Sequence, residues 1–448
     1  MKKWNNEELA AHLGGMVRYA TVSNAESALM DFSTFYGLHE YLKKTYPLVH
    51  EKLKCEVIGT AGLLYTWKGT GKSENLPIML CGHQDVVPTG DLSGWKYGPF
   101  EAVTADGALW GRGTSDCKNI ILADLEAVEA LLEEGFTPDY DIYLGFGFNE
   151  EVFGGDEPSA QAICNTLKER GVTLGLLIDE GEGAGTDPEH GINTPVALVC
   201  TSEKGYVDIK VALHDAGGHS MAPTKRSLIA ELGQIAIDLM KEQYPYRLTD
   251  TVAQEYRTIA PLMGGEKGRL LSNLDNDFEA AIPVIDADPQ LAAKFHTTMA
   301  ITMTSASPQA NILPREASFT MNSRLLVGDS LEGLLEKVKK VAGPDAEVTV
   351  LKGNDASQES RTDSVGYRCV KELTEELVPD VTVVPSLVCG GTDARNYYPI
   401  CDTVLRYSGY PAREGLGVHN FNEHIFIEDL DKGPDFMYRL IKKYGDFR

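Results

Sequence analysis

The sequence predicts an α/β fold interrupted by an inserted α+β domain, and three observations predict it. Over the first 200 residues, short apolar runs ending in polar or acidic groups alternate with segments of helical spacing, the mark of buried strands between helices. Between residues 201 and 353 the strand-like segments become half-exposed, alternating apolar with polar residues. From about residue 354 the first pattern resumes.

In chain order, the runs 77–85, 141–151 and 174–179 read as buried strands with His, Asp or Glu at their C-terminal ends. Between the first two, residues 119–134 place apolar side chains at 120, 121, 122, 125, 128, 131 and 132, which predicts a helix. Sites in such sheets gather beyond the carboxyl ends of the strands. Residues 204–213 and 317–325 alternate like antiparallel strands, 227–240 and 330–341 carry helical spacing, and 299–303 and 346–351 read as further strands. The order strand, helix, strand, strand, helix, strand is that of a ferredoxin-like sandwich. Residues 243–293 show no assignable pattern. A helix at 364–377 and a strand at 402–407 complete the chain. The division is one domain from 1–200 and 354–448, with 201–353 inserted as the second.

At 448 residues the chain exceeds what one core organises. No apolar run approaches the roughly 18 residues a membrane helix needs, and the start, Met1-Lys-Lys-Trp-Asn-Asn, lacks a signal peptide's apolar stretch. The expectation is a cytoplasmic protein without a membrane partner. Eight cysteines with no Cys-x-x-Cys pair read as reduced thiols, not a disulfide framework. A net charge of −25 repels phosphate backbones, which argues against nucleic acid as a partner.

The strand ends carry the chemistry. His83-Gln-Asp85 sets an imidazole and a carboxylate two residues apart, so that Asp85 can orient the His83 ring. The loop ending in Asp116 is rich in glycine and lets a carboxylate approach cations closely. Glu150 and Glu151 are adjacent at a strand end and point in different directions, so one can bind metal while the other moves a proton. Imidazole and carboxylate are zinc ligands. A Gly-x-Ser-x-Gly elbow and a His-Glu-x-x-His helix are both missing, which disfavours a serine hydrolase and a single-zinc protease. Cys117 has no adjacent histidine in the sequence to make it a nucleophile.

The runs Gly82-His-Gln-Asp-Val-Val-Pro88, Trp110-Gly-Arg-Gly-Thr-Ser-Asp-Cys-Lys118, Phe148-Asn-Glu-Glu-Val-Phe-Gly-Gly155, Ile178-Asp-Glu-Gly181 and Gly217-Gly-His-Ser220 resemble a known metallopeptidase family. That family comprises aminoacylases, Gly-X carboxypeptidases, succinyl-diaminopimelate desuccinylases and bacterial glutamate carboxypeptidase. The likeness runs in order over nearly the whole chain. Trp95-Lys-Tyr-Gly-Pro-Phe100 and the long insert fit the branch of Gly-X carboxypeptidases and N-acyl-amino-acid hydrolases.

The resemblance implies a three-layer α/β zinc-exopeptidase-like catalytic domain with a ferredoxin-like lid through which the chain forms a homodimer. It implies two divalent metal ions, zinc first, with cobalt or manganese as alternatives. Asp116 would bridge them, His83 and Asp179 would complete one site, and Glu151 with His419, in Gly417-Val-His-Asn-Phe-Asn-Glu423, the other. Glu150 would be the general base. His219, in the lid, would reach the partner subunit's active site and stabilise the oxyanion. Arg324, Arg395 and Asn311 match positions near a substrate-carboxylate pocket.

The implied activity is hydrolysis of an amide bond next to a free carboxylate in a small N-acyl amino acid or short peptide. A dipeptidase of the same family, or a metal-binding scaffold without catalysis, is the alternative. Cys117, Asn149 and Val327 stand where many relatives carry a second acid, an acid before the Glu pair, and a proline.

Overall fold

A computed structural model describes residues 2–448. Its centre is a mixed nine-stranded sheet. Eight strands run across it in the order Lys54–Ile58, Gly62–Trp67, Ile142–Gly147, Ile78–His83, Leu176–Asp179, Val404–Arg406, Ile192–Glu203 and Thr382–Val388, and Ala184–Asp187 pairs beside Ile192–Glu203. Ile78–His83 lies parallel between Ile142–Gly147 and Leu176–Asp179. These three strands are buried along their whole length, which is why they read as unbroken apolar runs. The register pairs His83 with Gly147 and Leu80 with Ile178, so the three carboxyl ends lie along one edge.

Helices cover both faces, as expected. On one face Leu80, Ile142 and Leu144 pack with helices Lys118–Glu133 and Lys432–Tyr444. On the other, Met79, Cys81 and Tyr143 pack with Ser159–Glu169 and with Ala394 and Tyr397. Alternate residues of one strand thus feed two cores.

The insert is a four-stranded antiparallel sheet in the order Thr298–Ser305, Glu316–Leu325, Gly205–His214, Glu347–Asn354, packed against helices Leu228–Lys241 and Leu331–Ala342. This is the ferredoxin-like topology the spacing predicts. Part of the 201–353 segment packs on the large sheet. Helices Asp250–Met263, Gly265–Leu271, Phe278–Asp286 and Pro289–Ala293 lie inside 201–353, yet they pack on Ile192, Val196, Val384 and Leu387 of the large sheet. Leu326, just past the end of a lid strand, joins the same cluster. Prolines inside two of these helices, Pro261 and Pro283, break the period by which a helix is recognised in sequence.

The chain passes into the lid at Lys204–Gly205 and returns past Asn354, where Tyr206 pairs with Asn354. A Cβ on Gly205 would stand 2.6 Å from the Asn354 carbonyl oxygen, so only glycine fits this crossing. Beneath it, Arg406 Nε donates to Glu203 Oε2 at 3.0 Å, and the same oxygen takes the N–H and hydroxyl of Thr392. Both charged side chains are buried. Arg406→Met leaves the buried Glu203 with only Arg395, 4.0 Å from its other oxygen, as a counter-charge, and we expect chemical denaturation to read a loss of about 3–5 kcal/mol. All eight cysteines are unpaired, and among the described residues no helix is long and apolar enough to cross a membrane.

Candidate metal centre

Strand ends and loops far apart in the chain deliver metal-type donors to one place. His83 closes the strand Ile78–His83, and its Nε2 lies 3.1 Å from Asp116 Oδ1, 3.6 Å from Glu180 Oε2 and 3.9 Å from Glu150 Oε2. Asp116 Oδ2 sits 3.0 Å from His419 Nε2, which is 2.8 Å from Glu151 Oε2. The result is two groups that share Asp116: His83, Asp116, Cys117 and Glu180, and Asp116, Glu151 and His419, with donor atoms in each lying within 4.8 Å of one another. Asp116 turns one oxygen to each group.

Local hydrogen bonds explain how the loops hold this shape. The N–H groups of Gly113, Ser115 and Asp116 donate to Glu423 Oε1 at 3.0, 2.9 and 3.1 Å. Arg112 binds the other Glu423 oxygen at 2.7 Å and the Asn420 carbonyl at 2.9 Å. One buried carboxylate therefore sets both the Asp116 loop and the loop of His419. His419 itself adopts φ +55°, a left-handed conformation costly for a residue with a Cβ and found mostly where structure around it demands it. Glu423 was not picked out from the sequence, although it ends the run that contains His419.

Asp85 does more than was expected of it. Its two carboxylate oxygens accept the N–H groups of Glu150 and Glu151 at 3.1 and 3.2 Å, fixing the turn that presents both acids. His83 Nδ1 lies 3.0 Å from the Asp85 carbonyl oxygen and 3.5 Å from its carboxylate, so backbone and side chain both orient the ring. Glu150 stands outside both donor groups, beside them.

Glu180 joins the His83 group, while Asp179 is in neither group and keeps Oδ2 buried without a partner. Asp179 accepts the Glu180 N–H on Oδ1 at 2.9 Å. The motif Ile178-Asp-Glu-Gly181 holds both acids and does not tell them apart. The two unusual positions near the site have structural partners. Asn149 accepts from the N–H and hydroxyl of Ser159 and donates to the Glu157 carbonyl, tying the Glu pair to the next helix. Cys117, buried, takes the His83 N–H on Sγ at 3.1 Å.

The donor set fits divalent cations. Asp116, Glu150, Glu151 and Glu180 converge with two imidazoles, and among the described residues no lysine or arginine pairs with any of the four. Glu151 Oε1 is buried without a partner. Burial and then the neighbouring Glu180 push the Glu150 carboxyl well above its usual range, and burial pushes Glu180 up to about 8. Carboxylates crowded in this way lack positive charge, and metal ions supply it.

The lid residues lie elsewhere. His219 is exposed on the short strand Gly218–His219, paired with Ile312–Leu313, and the Ser220 N–H donates to the Asn311 carbonyl at 3.0 Å. His219 and Asn311 thus share one two-stranded ribbon, and neither lines the cleft beside Asp116 and Glu180 of the same chain. Arg324 lies over the Tyr206 ring at 4.6 Å without an acidic partner among the described residues. Arg395 lies over Phe153 at 4.8 Å and donates to the Thr392 carbonyl at 2.7 Å.

Residues 79–443 match the family model described as Peptidase family M20/M25/M40. The chain belongs to this family. The M20 chain is 34% identical to the probable carboxypeptidase S-like 2 of Dictyostelium discoideum, over 97% of this chain and 85% of that one. It is 31% identical to N-fatty-acyl-amino acid synthase/hydrolase PM20D1.1 of Danio rerio, again over 97% and 85%. Its fold matches that of the M20 family metallo-carboxypeptidase Sso-CP2 from Sulfolobus solfataricus with a TM-score of 0.74 at 18% identity, covering 98% and 99% of the two chains. This M20 protein is a metal-dependent hydrolase of amide bonds with a catalytic domain and a lid.

Proposed function

We propose that the enzyme releases an amino acid from an N-acyl or peptidyl group by cleaving the amide next to a free carboxylate. In this reading two divalent ions, zinc foremost, are held by His83, Asp116, Glu151, Glu180 and His419. The observation that carries the reading is the pair of donor groups sharing Asp116, with a non-ligand acid, Glu150, beside them. When bound, such ions polarise the scissile carbonyl and make a coordinated water acidic. Glu150 would take a proton from water as the water oxygen bonds to the carbonyl carbon, and would deliver that proton to the leaving nitrogen as the C–N bond breaks. Arg324 and Arg395 supply guanidinium donors for the substrate carboxylate, and Asn311 an amide.

A cleft of about 1360 Å³ adjoins Asp116 and Glu180, and Ile120, Leu198, Leu387 and Val388 are among its walls. Apolar walls favour an acyl arm over the free ammonium of a dipeptide. The test is a panel of N-acyl amino acids, their carboxamides, and dipeptides with and without an N-acetyl group. Zinc-loaded enzyme is expected to cleave the N-acyl acids, to lose about 10²-fold in kcat/KM on the carboxamides, and to stop with chelator. Zinc-loaded protein that cleaves none of the panel sinks the proposal. Free dipeptides cleaved faster than their acetylated forms favour a dipeptidase instead.

We further propose a homodimer through the lid, in which His219 donates to the oxyanion in the partner's site. Its support is His219, exposed on a short lid ribbon and absent from the walls of its own cleft, and the exposed apolar side chains Ile229 and Ile237 on a lid helix and Met303 on the lid's edge strand. Sedimentation should show a dimer at micromolar concentration; a fully active monomer contradicts this arrangement. Eight unpaired thiols support a reducing compartment, the cytoplasm.

A further inference from the structure

The loop that presents Glu150 and Glu151 runs on beneath the lid. Phe153, two residues past Glu151, packs against Tyr206 of the lid strand Gly205–His214, with ring centroids 4.5 Å apart and planes inclined by 33°. Lys352, from the lid strand Glu347–Asn354, donates to the Phe153 carbonyl oxygen at 3.1 Å. It also covers Gly154, where a Cβ would stand 3.1 Å from the lysine side chain. The lid end of this contact is anchored, because Tyr206 donates its hydroxyl to Asp208 at 2.8 Å and Asp208 also takes the Asn322 amide at 2.7 Å. The catalytic end is anchored by the two N–H bonds from Glu150 and Glu151 to Asp85.

Asn149 and Asp156 tie the ends of this loop, to the Glu157 and Ala25 carbonyls, while the stretch around Phe153 is held mainly by contacts from outside it. Its internal backbone bonds, from Val152 to Asn149 and from Gly155 to Val152, are both long at 3.4 Å. Tyr206 and Lys352 lie within two residues of the points where the chain crosses into and out of the lid. A rotation of the lid therefore turns these side chains against Phe153 instead of carrying them far from it.

We propose that Phe153 is a positioning residue whose packing on Tyr206 couples the seating of the lid to the alignment of Glu150 and Glu151. The role in turnover rests on reading Glu150 as the general base. The coupling itself is testable without any substrate.

The experiment is hydrogen exchange, read by mass spectrometry on the metal-loaded full chain, over residues 149–157. Tyr206→Ala, a change confined to the lid, is expected to raise exchange there by about three- to tenfold, the range that loss of one aromatic pair allows. Phe153→Ala should do the same, the double variant should add nothing further, and Phe153→Tyr should restore protection. In each deprotected variant kcat should fall by a similar factor with metal content unchanged. If Tyr206→Ala does not fold, Lys352→Met probes the same path from the second lid strand. Unchanged exchange at 149–157 in the lid variants, or effects that multiply in the double variant, overturns the coupling. An inactive wild type would instead fail the functional reading and leave the exchange result standing.

Discussion

Glu150→Gln is expected to lower kcat by about 10²–10⁴-fold while leaving metal content at its wild-type value. Glutamine keeps the shape of the side chain and loses the capacity to take a proton. Glu150 lies outside both donor groups, 3.9 Å from the nearest ligand-type nitrogen, His83 Nε2, so its removal strips no coordination. Its backbone N–H remains bound to Asp85, so the turn that sets Glu151 is undisturbed. Steady-state kinetics with metal analysis on the same preparation decide the matter. Full activity would remove Glu150 from the role of general base, and loss of metal would make Glu150 a ligand.

The second large effect separates two neighbouring acids. Glu180→Ala is expected to weaken one of the two metals by at least about 10²-fold, since even residues that only orient a ligand cost 10- to 100-fold when removed. After dialysis the protein should retain one equivalent, not two. Asp179→Asn is expected to retain both, because Asp179 Oδ1 accepts the Glu180 N–H and an amide oxygen still accepts that bond. Metal analysis with the two results exchanged would return Asp179 to the coordination set.

Much of this was legible in the chain itself. Strands buried on both faces have to be apolar along their length, so 78–83, 142–147 and 176–179 stand out, and the acids and imidazoles that follow them mark the edge where a site forms. The lid was legible for the opposite reason: strands exposed on one face alternate, and their order with the two helices allows few topologies. The helices at 250–293 were not, because Pro261 and Pro283 interrupt their period and their apolar faces are meaningful only against the edge strands they cover.

What the sequence alone determined was therefore the set of elements, their order, and the residue types gathered at the strand ends. The tertiary structure decided that Glu180 lies 3.6 Å from His83, that Asp85 clamps the Glu150 turn, and that Glu423 joins the loops of Asp116 and His419 across 307 positions of chain. The physical reason is range. Periodicity reports how a segment meets its own core, whereas the direction of a side chain at a strand's end and the partner of a buried carboxylate are settled by backbone groups that sequence distance hides.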